Sequence, residues 1–134
     1  MTSKTVADVM TTGVVSIDAD AKIAEAVRLL DEHRVAGLPV VDGSGHLVGV
    51  LSRTDVVRAR VTEHLWQSWP GLAVRHLMTA PALTTSPGAS LESVAAVMER
   101  DHVHRLVVVR EDGRTPVGII SMTDLVHAIA EGVG

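Results

Sequence analysis

The chain contains no cysteine, no phenylalanine and no tyrosine, and only two tryptophans among its 134 residues. Without cysteine it can form neither a disulfide bond nor a thiolate metal site. With so few aromatic rings it offers no platform on which nucleic-acid bases could stack. No apolar run reaches the length of a membrane span, and the polar N-terminus leads into no signal-peptide core, so we expect a cytoplasmic protein.

The length and composition favour one compact globular unit. The net charge is −4, and the basic and acidic residues are interspersed along the chain. Because no basic stripe is present, a nucleic-acid partner is not expected. Hydrophobic residues make up 46% of the chain and charged residues 21%, a balance typical of a folded domain.

One heptapeptide occurs twice, as GVLSRTD at residues 49–55 and as GIISMTD at residues 118–124. Residues 6–11 likewise match residues 74–79, and the apolar helical stripe that begins at Ile23 recurs 68 residues later, beginning at Leu91. A copy of fewer than about 70 residues is marginal as an independent domain, so the two copies are expected to share a core.

Each copy predicts the element order β-α-β-β-α after a short helix. In the first copy we expect Asp20 to cap the long helix, Gly37 to lie near that helix's C-terminal cap, and Pro39 to start a strand or lie at a sheet edge. In the first copy the sequence predicts helices at residues 5–10 and 21–33 and from residue 54. It predicts strands at residues 14–17, 38–41 and 47–51, of which the last two form a hairpin. The second copy repeats them, with a strand around Leu83, a helix at 90–101, strands at 105–110 and 117–120, and a last helix.

The ordered set of motifs resembles the CBS domain, named for cystathionine β-synthase, and two such domains in tandem form a Bateman module. The resemblance covers residues 6–130, and it divides the chain into a first motif at 1–66, a bridge at 67–73 and a second motif at 74–134. It implies an α+β fold of two β-α-β-β-α repeats with pseudo-two-fold symmetry, with the sheets packed together and the helices outside.

The resemblance also implies a regulatory module and not an enzyme. Modules of this kind commonly bind adenosine-containing ligands, here AMP, ADP, ATP, S-adenosylmethionine or NAD(H), in clefts between the two motifs, and no cofactor is required. When they stand alone they often form homodimers through their helices. Because the chain contains no effector domain, an unknown partner protein is expected to receive the signal.

The repeated heptapeptide supplies the expected ligand site. A helix N-terminus suits a phosphate, and an aspartate one turn into the helix can accept hydrogen bonds from a ribose diol. By resemblance, Asp55 and Asp124 bind ribose, and Ser52 and Ser121 lie near phosphate. The helix-start candidates are Ser52, Arg53, Thr54, Asp55, Ser121, Thr123 and Asp124, and the candidates that line an adenine slot or add charge beside it are Val15, Ala36, Gly37, Pro39, Leu83, His104, Arg105 and Val107.

Several alternatives stay open from the sequence. The Ser-x-x-Asp spacing is also that of a capping box, in which case Asp55 and Asp124 only cap helices and the protein is a ligand-free dimerisation or interaction module. No nucleophile–base constellation suggests an enzyme, and the pair His102 and His104 lacks further ligands for a metal. The two tryptophans, Trp66 and Trp69, either form a partner surface or cover the open end of the core.

Overall fold

The computed structural model describes residues 4–62, 67 and 69–132, which form a mixed α+β fold. Short 3₁₀ helices lie at Trp69–Gly71 and Val74–His76. The other elements, in chain order, are α1 (Val6–Val9), β1 (Ile17–Asp18), α2 (Ile23–Glu32), β2 (Gly37–Val41), β3 (Leu47–Ser52), α3 (Arg53–Val61), β4 (Thr84–Thr85), α4 (Leu91–Asp101), β5 (Arg105–Val109), β6 (Pro116–Ser121) and α5 (Met122–Gly132).

The chain forms two compact units with the same topology. Unit I is Val15–Ala82, and unit II is Met1–Val14 together with Leu83–Gly134. Each has a three-stranded sheet, in the order β1-β2-β3 or β4-β5-β6, whose first pair of strands is parallel and whose second pair is antiparallel. The α+β class and the twofold occurrence of the β-α-β-β-α order are therefore confirmed.

The segment that precedes each sequence repeat belongs to the unit of the other repeat. Helix α1 lies in unit II, where Val6 is fully buried among Leu91 and other core residues. The 3₁₀ helix at 74–76 lies in unit I, where Val74 is fully buried. We call residues 5–11 and 73–79 the leading segments. The motif boundaries 1–66, 67–73 and 74–134 describe the sequence repeats and stay a prediction.

Each leading segment ends as a short bridge beside a sheet. Thr11 and Ile119 exchange backbone hydrogen bonds of 2.9 and 3.1 Å next to β6. Thr79 and Val50 do the same beside β3, at 2.9 and 3.0 Å. The repeated Met-Thr pairs of the sequence thus lie against the strands that lead into α5 and α3.

Strand β1 begins later than predicted, because Pro39 cannot donate a hydrogen bond. In unit II the Val107 N–H donates to the Leu83 carbonyl at 3.1 Å, which starts the ladder at Thr84. Pro39 occupies the position that matches Val107, so the ladder of unit I starts only at Ile17. The predicted strand at 14–17 is therefore wrong in its boundaries, and Val15 lies outside the strand.

Pro39 also differs from its predicted place, since it is the third residue of the middle strand β2. It is tolerated there because its nitrogen faces a stretch that the short strand β1 does not reach. In unit II a second proline ends the pairing of β4 with β5 at its other end. The Ala19 N–H donates to the Val41 carbonyl at 2.9 Å, and the matching position in unit II is Pro87, which has no N–H.

Helix α2 begins and ends differently from the prediction. It begins at Ile23 after Lys22, whose side chain makes no capping hydrogen bond. Asp20, the predicted cap, instead forms an ion pair with Arg75. The helix ends at Glu32, and Arg34 takes the left-handed conformation that was expected nearer Gly37, which is the first residue of β2.

Replacing Arg34 by glycine is expected to stabilise the protein. Arg34 and His102 occupy equivalent positions after α2 and α4, with φ of 51° and 53°. A side chain with a Cβ is strained there, whereas glycine is not. We expect Arg34→Gly and His102→Gly each to raise the free energy of unfolding by about 0.5–1 kcal/mol in urea titrations. Arg34→Ala is the matched control, and an equal gain from alanine would show that strain is not the cause.

The cores contain aliphatic side chains and methionine, as the composition predicts. Ile23, Leu38 and Leu51 are buried in unit I, and Leu106, Ile120 and Met98 in unit II. Trp69 packs against the unit I core with the Arg60 guanidinium 5.4 Å from its ring centroid, which favours a core-covering role. Trp66 lies outside the described residues. No helix in the described ranges has both the length and the apolar character needed to cross a membrane.

Candidate functional site

The two heptapeptides fold into the same structure, a strand that runs directly into a capped helix. Ser52 ends β3 and Ser121 ends β6, and the next residue begins α3 or α5. The Ser52 Oγ accepts the Asp55 N–H at 3.1 Å, and the Asp55 Oδ2 accepts the Ser52 N–H at 2.9 Å. Ser121 and Asp124 repeat both bonds, at 3.2 and 2.8 Å. Both aspartates therefore form capping boxes.

Capping occupies only one oxygen of each carboxylate. Asp124 uses Oδ2 for the Ser121 N–H and also for the Ser121 hydroxyl at 3.0 Å, and within the described residues no donor reaches its Oδ1. From the part of the chain that the structure describes, the Oδ1 of Asp55 accepts only a long bond, 3.4 Å, from the Thr79 hydroxyl. Since the cap fixes the orientation of each half-buried carboxylate, the outer oxygen can accept hydroxyls of a ligand without loss of the cap.

The backbone N–H groups at these helix starts are less available than the sequence suggested. The Arg53 N–H donates to the Ala36 carbonyl at 2.9 Å, and the Met122 N–H donates to the His104 carbonyl at 2.8 Å. The third N–H of each helix is bonded to the capping serine. Among the described residues this leaves the N–H groups of Thr54 and Thr123 for a phosphate, so hydroxyls and side-chain charge must supply most contacts.

The same backbone bonds join the predicted adenine slot to the helix start within each unit. Gly37 pairs with Ser52 across β2 and β3, and Arg105 pairs with Ser121 across β5 and β6. Just before β2 and β5, Ala36 is half-buried and His104 is exposed. Within β2 and β5, Pro39 and Val107 are buried. Ahead of β1 and β4, Val15 is half-buried and Leu83 is exposed.

The two sites differ in charge although their backbones match. At the first position of the helix, unit I has the exposed guanidinium of Arg53, whereas unit II has the thioether of Met122. At the strand start, unit I has Ala36 and Gly37, and unit II has an imidazole followed by the half-buried Arg105. These side chains make the two sites inequivalent in charge.

Sequence reasoning missed the part that the leading segments take in each site. Thr79 lies close enough to bond Asp55, and Thr11 holds the matching backbone position in unit II. Gly49 and Gly118 allow this approach, because a Cβ on either would lie under 3 Å from the carbonyl of the adjacent threonine. The repeated Met-Thr pairs and the two glycines were visible signals, but their spatial relation was not.

Comparison with known proteins identifies the repeated unit. A model of the CBS domain matches residues 6–62 and again residues 74–131. The CBS domain-containing protein YhcV of Bacillus subtilis is 31% identical over 120 residues, which cover 90% of this chain and 81% of that protein. The homoserine O-acetyltransferase of Methanococcoides burtonii is 33% identical over 125 residues, but this chain spans only 24% of its length. The inosine-5'-monophosphate dehydrogenase of Korarchaeum cryptofilum and the gamma-3 subunit of human 5'-AMP-activated protein kinase are likewise much longer, and the chain spans 22% and 23% of them.

Solved structures give the same result over almost the whole chain. The complex of CBSX2 with AMP has a TM-score of 0.83 at 30% identity, and it covers 98% of this chain and 99% of that one. A CBS domain pair of protein MJ0100 with 5-methylthioadenosine and S-adenosyl-L-methionine has a TM-score of 0.79 at 26% identity, with 98% and 100% covered. The CBS domain of a bacterial CNNM/CorC family Mg²⁺ transporter with ATP scores 0.80 at 25% identity, with 95% and 87% covered. The chain therefore belongs to the CBS domain family and carries two CBS motifs in tandem.

Proposed function

We propose that this protein is a regulatory module that binds adenosine-containing ligands at the helix starts of α3 and α5. One observation carries the proposal: in both units the helix cap uses only the Oδ2 oxygen of the aspartate, so that Oδ1 is not engaged by the cap. A fixed carboxylate of this kind can accept hydrogen bonds from a ribose diol. The ligands of the similar structures, AMP, ATP, 5-methylthioadenosine and S-adenosyl-L-methionine, all contain adenosine, which supports the same class of ligand here.

Each candidate residue has a distinct part in this proposal. Asp55 and Asp124 bind ribose, and the hydroxyls of Ser52, Ser121 and the following threonines bind phosphate. Arg53 adds a planar fork of donors that suits a phosphate group, so unit I is expected to prefer the more highly phosphorylated ligands. The backbone at the starts of β2 and β5 supplies polar groups for the adenine ring, beside the apolar side chains of the slot.

The proposed output is a change in shape or assembly, with no catalysis and no required cofactor. A ligand can shift an equilibrium between two arrangements only by as much as its affinities for them differ. A separate effector protein in the cytoplasm would bind the favoured arrangement. Two relatives carry the matching region within a much longer chain, which supports a role beside other domains.

Calorimetric titration tests the binding proposal directly. AMP, ADP, ATP, S-adenosylmethionine and NADH are titrated into the full chain, with GMP as a control that keeps the ribose and phosphate but changes the base. We expect at least one adenosine ligand to bind at micromolar to submillimolar concentration and GMP to bind at least about tenfold more weakly, a difference of roughly 1.4 kcal/mol. No heat from any adenosine ligand at millimolar concentration would contradict the proposal.

The second candidate function is homodimerisation, and a specific feature favours it. Large apolar side chains remain exposed on α3 and α5, the longest stripe being Met122, Val126 and Ile129. These residues are spaced i, i+4 and i+7, so they share one helical face. An exposed stripe of this kind is typical of an interaction surface. Light scattering of the purified chain measures whether it is a dimer, with or without ligand.

A further inference from the structure

Each leading segment is anchored to its unit by a valine, by a methionine four residues further on, and by the threonine bridge to the sheet. Val6 and Val74 are fully buried. Met10 and Met78 are half-buried and pack against the same cores. The threonine that forms the bridge is the next residue in each segment. The methionine is therefore the apolar anchor nearest to each bridge.

The sulfur of each of these methionines packs against a glycine of the repeated heptapeptide. The Met10 Sδ lies 2.9 Å from the position that a Cβ on Gly118 would take. The Met78 Sδ lies 2.8 Å from the matching position at Gly49. Because the thioether already fills the space above the glycine, an atom added to the sulfur on this side would overlap the strand.

Exposure separates the methionines that the structure describes. Met98 is 1% exposed in the core of unit II, whereas Met122 is 40% exposed at the start of α5. Met10 and Met78 lie between these extremes and reach solvent. The chain contains no cysteine that would compete for an oxidant. Since oxidation follows exposure, a peroxide reaches Met122, Met10 and Met78 well before Met98.

We propose that Met10 and Met78 are sites of reversible oxidation, and that their sulfoxides release the leading segments. The sulfur lone pair attacks a peroxide oxygen and forms the S–O bond while the O–O bond breaks. The departing hydroxide takes the proton of the transferred hydroxyl and leaves as water, so that sulfur loses two electrons and the peroxide gains them. This inference goes beyond the proposed function, because it needs no ligand.

The release follows from the size and polarity of the sulfoxide. A sulfoxide is larger than a thioether and needs hydrogen-bond partners, so it does not stay between the glycine and the apolar core. When it turns to solvent, the apolar contact beside the bridge is lost. The bridge bonds of Thr11 with Ile119 and of Thr79 with Val50 then open more often.

Peroxide treatment of the full chain, followed by peptide mass spectrometry and amide hydrogen exchange, tests the proposal. We expect Met10 and Met78 to be oxidised at least about tenfold faster than Met98. In the oxidised chain we expect amides of residues 5–11 and 73–79 to exchange at least about tenfold faster, and those of α2 and α4 to change by less than about threefold. Methionine sulfoxide reductases should restore the original exchange.

The double variant Met10→Leu with Met78→Leu is the matched control, because leucine keeps the apolar volume but has no sulfur. Peroxide should leave the exchange of its leading segments unchanged, although Met122 is still oxidised. Met122→Leu should respond to peroxide as the unsubstituted chain does. The single variants Met10→Leu and Met78→Leu should each protect only their own leading segment, and they decide the question if the double variant does not fold.

Three results would overturn the inference. Oxidation of Met10 and Met78 no faster than that of Met98 would show that they are not accessible sites. Complete oxidation of both without faster exchange in the leading segments would show that the sulfoxides release nothing. An undiminished response in the leucine variants would assign the effect to another residue.

Discussion

Gly49→Ala and Gly118→Ala are each expected to lower the free energy of unfolding by about 2–3 kcal/mol, the range for forcing an extra carbon into a packed site. A Cβ on Gly118 would lie 2.9 Å from both the Met10 Sδ and the Thr11 carbonyl oxygen. A Cβ on Gly49 would lie 2.8 Å from the Met78 Sδ and from the Thr79 carbonyl oxygen. Real Cβ atoms do not approach this closely, so one neighbour must move.

The methionine can move, but the carbonyl is held. The Thr11 carbonyl accepts the Ile119 N–H at 3.1 Å, and the Thr79 carbonyl accepts the Val50 N–H at 3.0 Å. Displacing either carbonyl therefore breaks the bridge that fixes a leading segment beside its sheet. The loss reaches the core, because the same segments bury Val6 and Val74 completely.

Urea titration followed by circular dichroism measures the effect, and two glycines provide matched controls. Gly43 and Gly88 have no atom within 4 Å of the added carbon and no positive φ, so Gly43→Ala and Gly88→Ala are expected to change stability by less than about 0.5 kcal/mol. The double variant Gly49→Ala with Met78→Ala removes the flexible neighbour and leaves the carbonyl. Full recovery in that double variant would show that sulfur and not backbone causes the strain.

Much of the local structure was predictable, because it depends on contacts within a few residues. The spacing of Ser52 and Asp55 predicts a capping box, and the bonds are formed in both units. The stripe beginning at Ile23 predicts a helix whose apolar face is buried, and that face is in the core. Capping and helical periodicity are local, so the sequence carries them directly.

The errors concern interactions between residues that are distant in the sequence. The start of β1 depends on a donor that Pro39 lacks, which matters only when that strand meets β2. The cap expected of Asp20 is absent because Ala21 and Ile23 form backbone hydrogen bonds with Val74 and Leu72, far along the chain, and the helix begins only after Lys22. Helix α1 likewise lies in unit II because Val6 is buried in the core of that unit, and the repeat pattern of the sequence does not predict this position.

In the candidate site, too, the features set by nearby residues were predictable from the sequence, and the contacts between distant residues were not. The aspartates and serines were identified from their spacing, but the sequence could not show that the carbonyls of Ala36 and His104 accept the first helical N–H groups. That finding changes the chemistry expected of the site, because in the proposed function a phosphate would contact mainly hydroxyls and Arg53. It also increases the share of ligand recognition that the carboxylates must provide.

Asp124→Ala and Asp55→Ala are accordingly expected to weaken ligand binding at their own site by about 10- to 100-fold. A hydrogen bond to a charged acceptor contributes roughly 1.5–3 kcal/mol, and about 1.4 kcal/mol corresponds to a factor of ten. Because the two sites lie on different helices, each substitution should remove one class of site in calorimetry, and the double variant should bind no ligand.

Loss of the helix cap must be separated from loss of ligand contact, since each aspartate does both. Adenosine, which has no phosphate, is the appropriate probe. Ser121→Ala removes the acceptor for the Asp124 N–H but leaves the carboxylate, so it should lower stability by roughly 1 kcal/mol and change adenosine affinity less than about threefold. Asp124→Ala should have a similar cost in stability and lose adenosine binding.

Asp8→Ala is a second control, because the Asp8 carboxylate accepts the N-cap backbone N–H of α1, outside the two repeated heptapeptides. Its Oδ2 accepts the Thr5 N–H at 2.8 Å, and this bond, with one from the Thr5 hydroxyl, holds the pKa of the carboxyl below its usual value. Its removal should weaken a cap without affecting ligand affinity. If Asp55→Ala and Asp124→Ala also leave adenosine affinity unchanged while they destabilise the fold, the two aspartates are caps alone, and the exposed faces of α3 and α5 become the better guide to function.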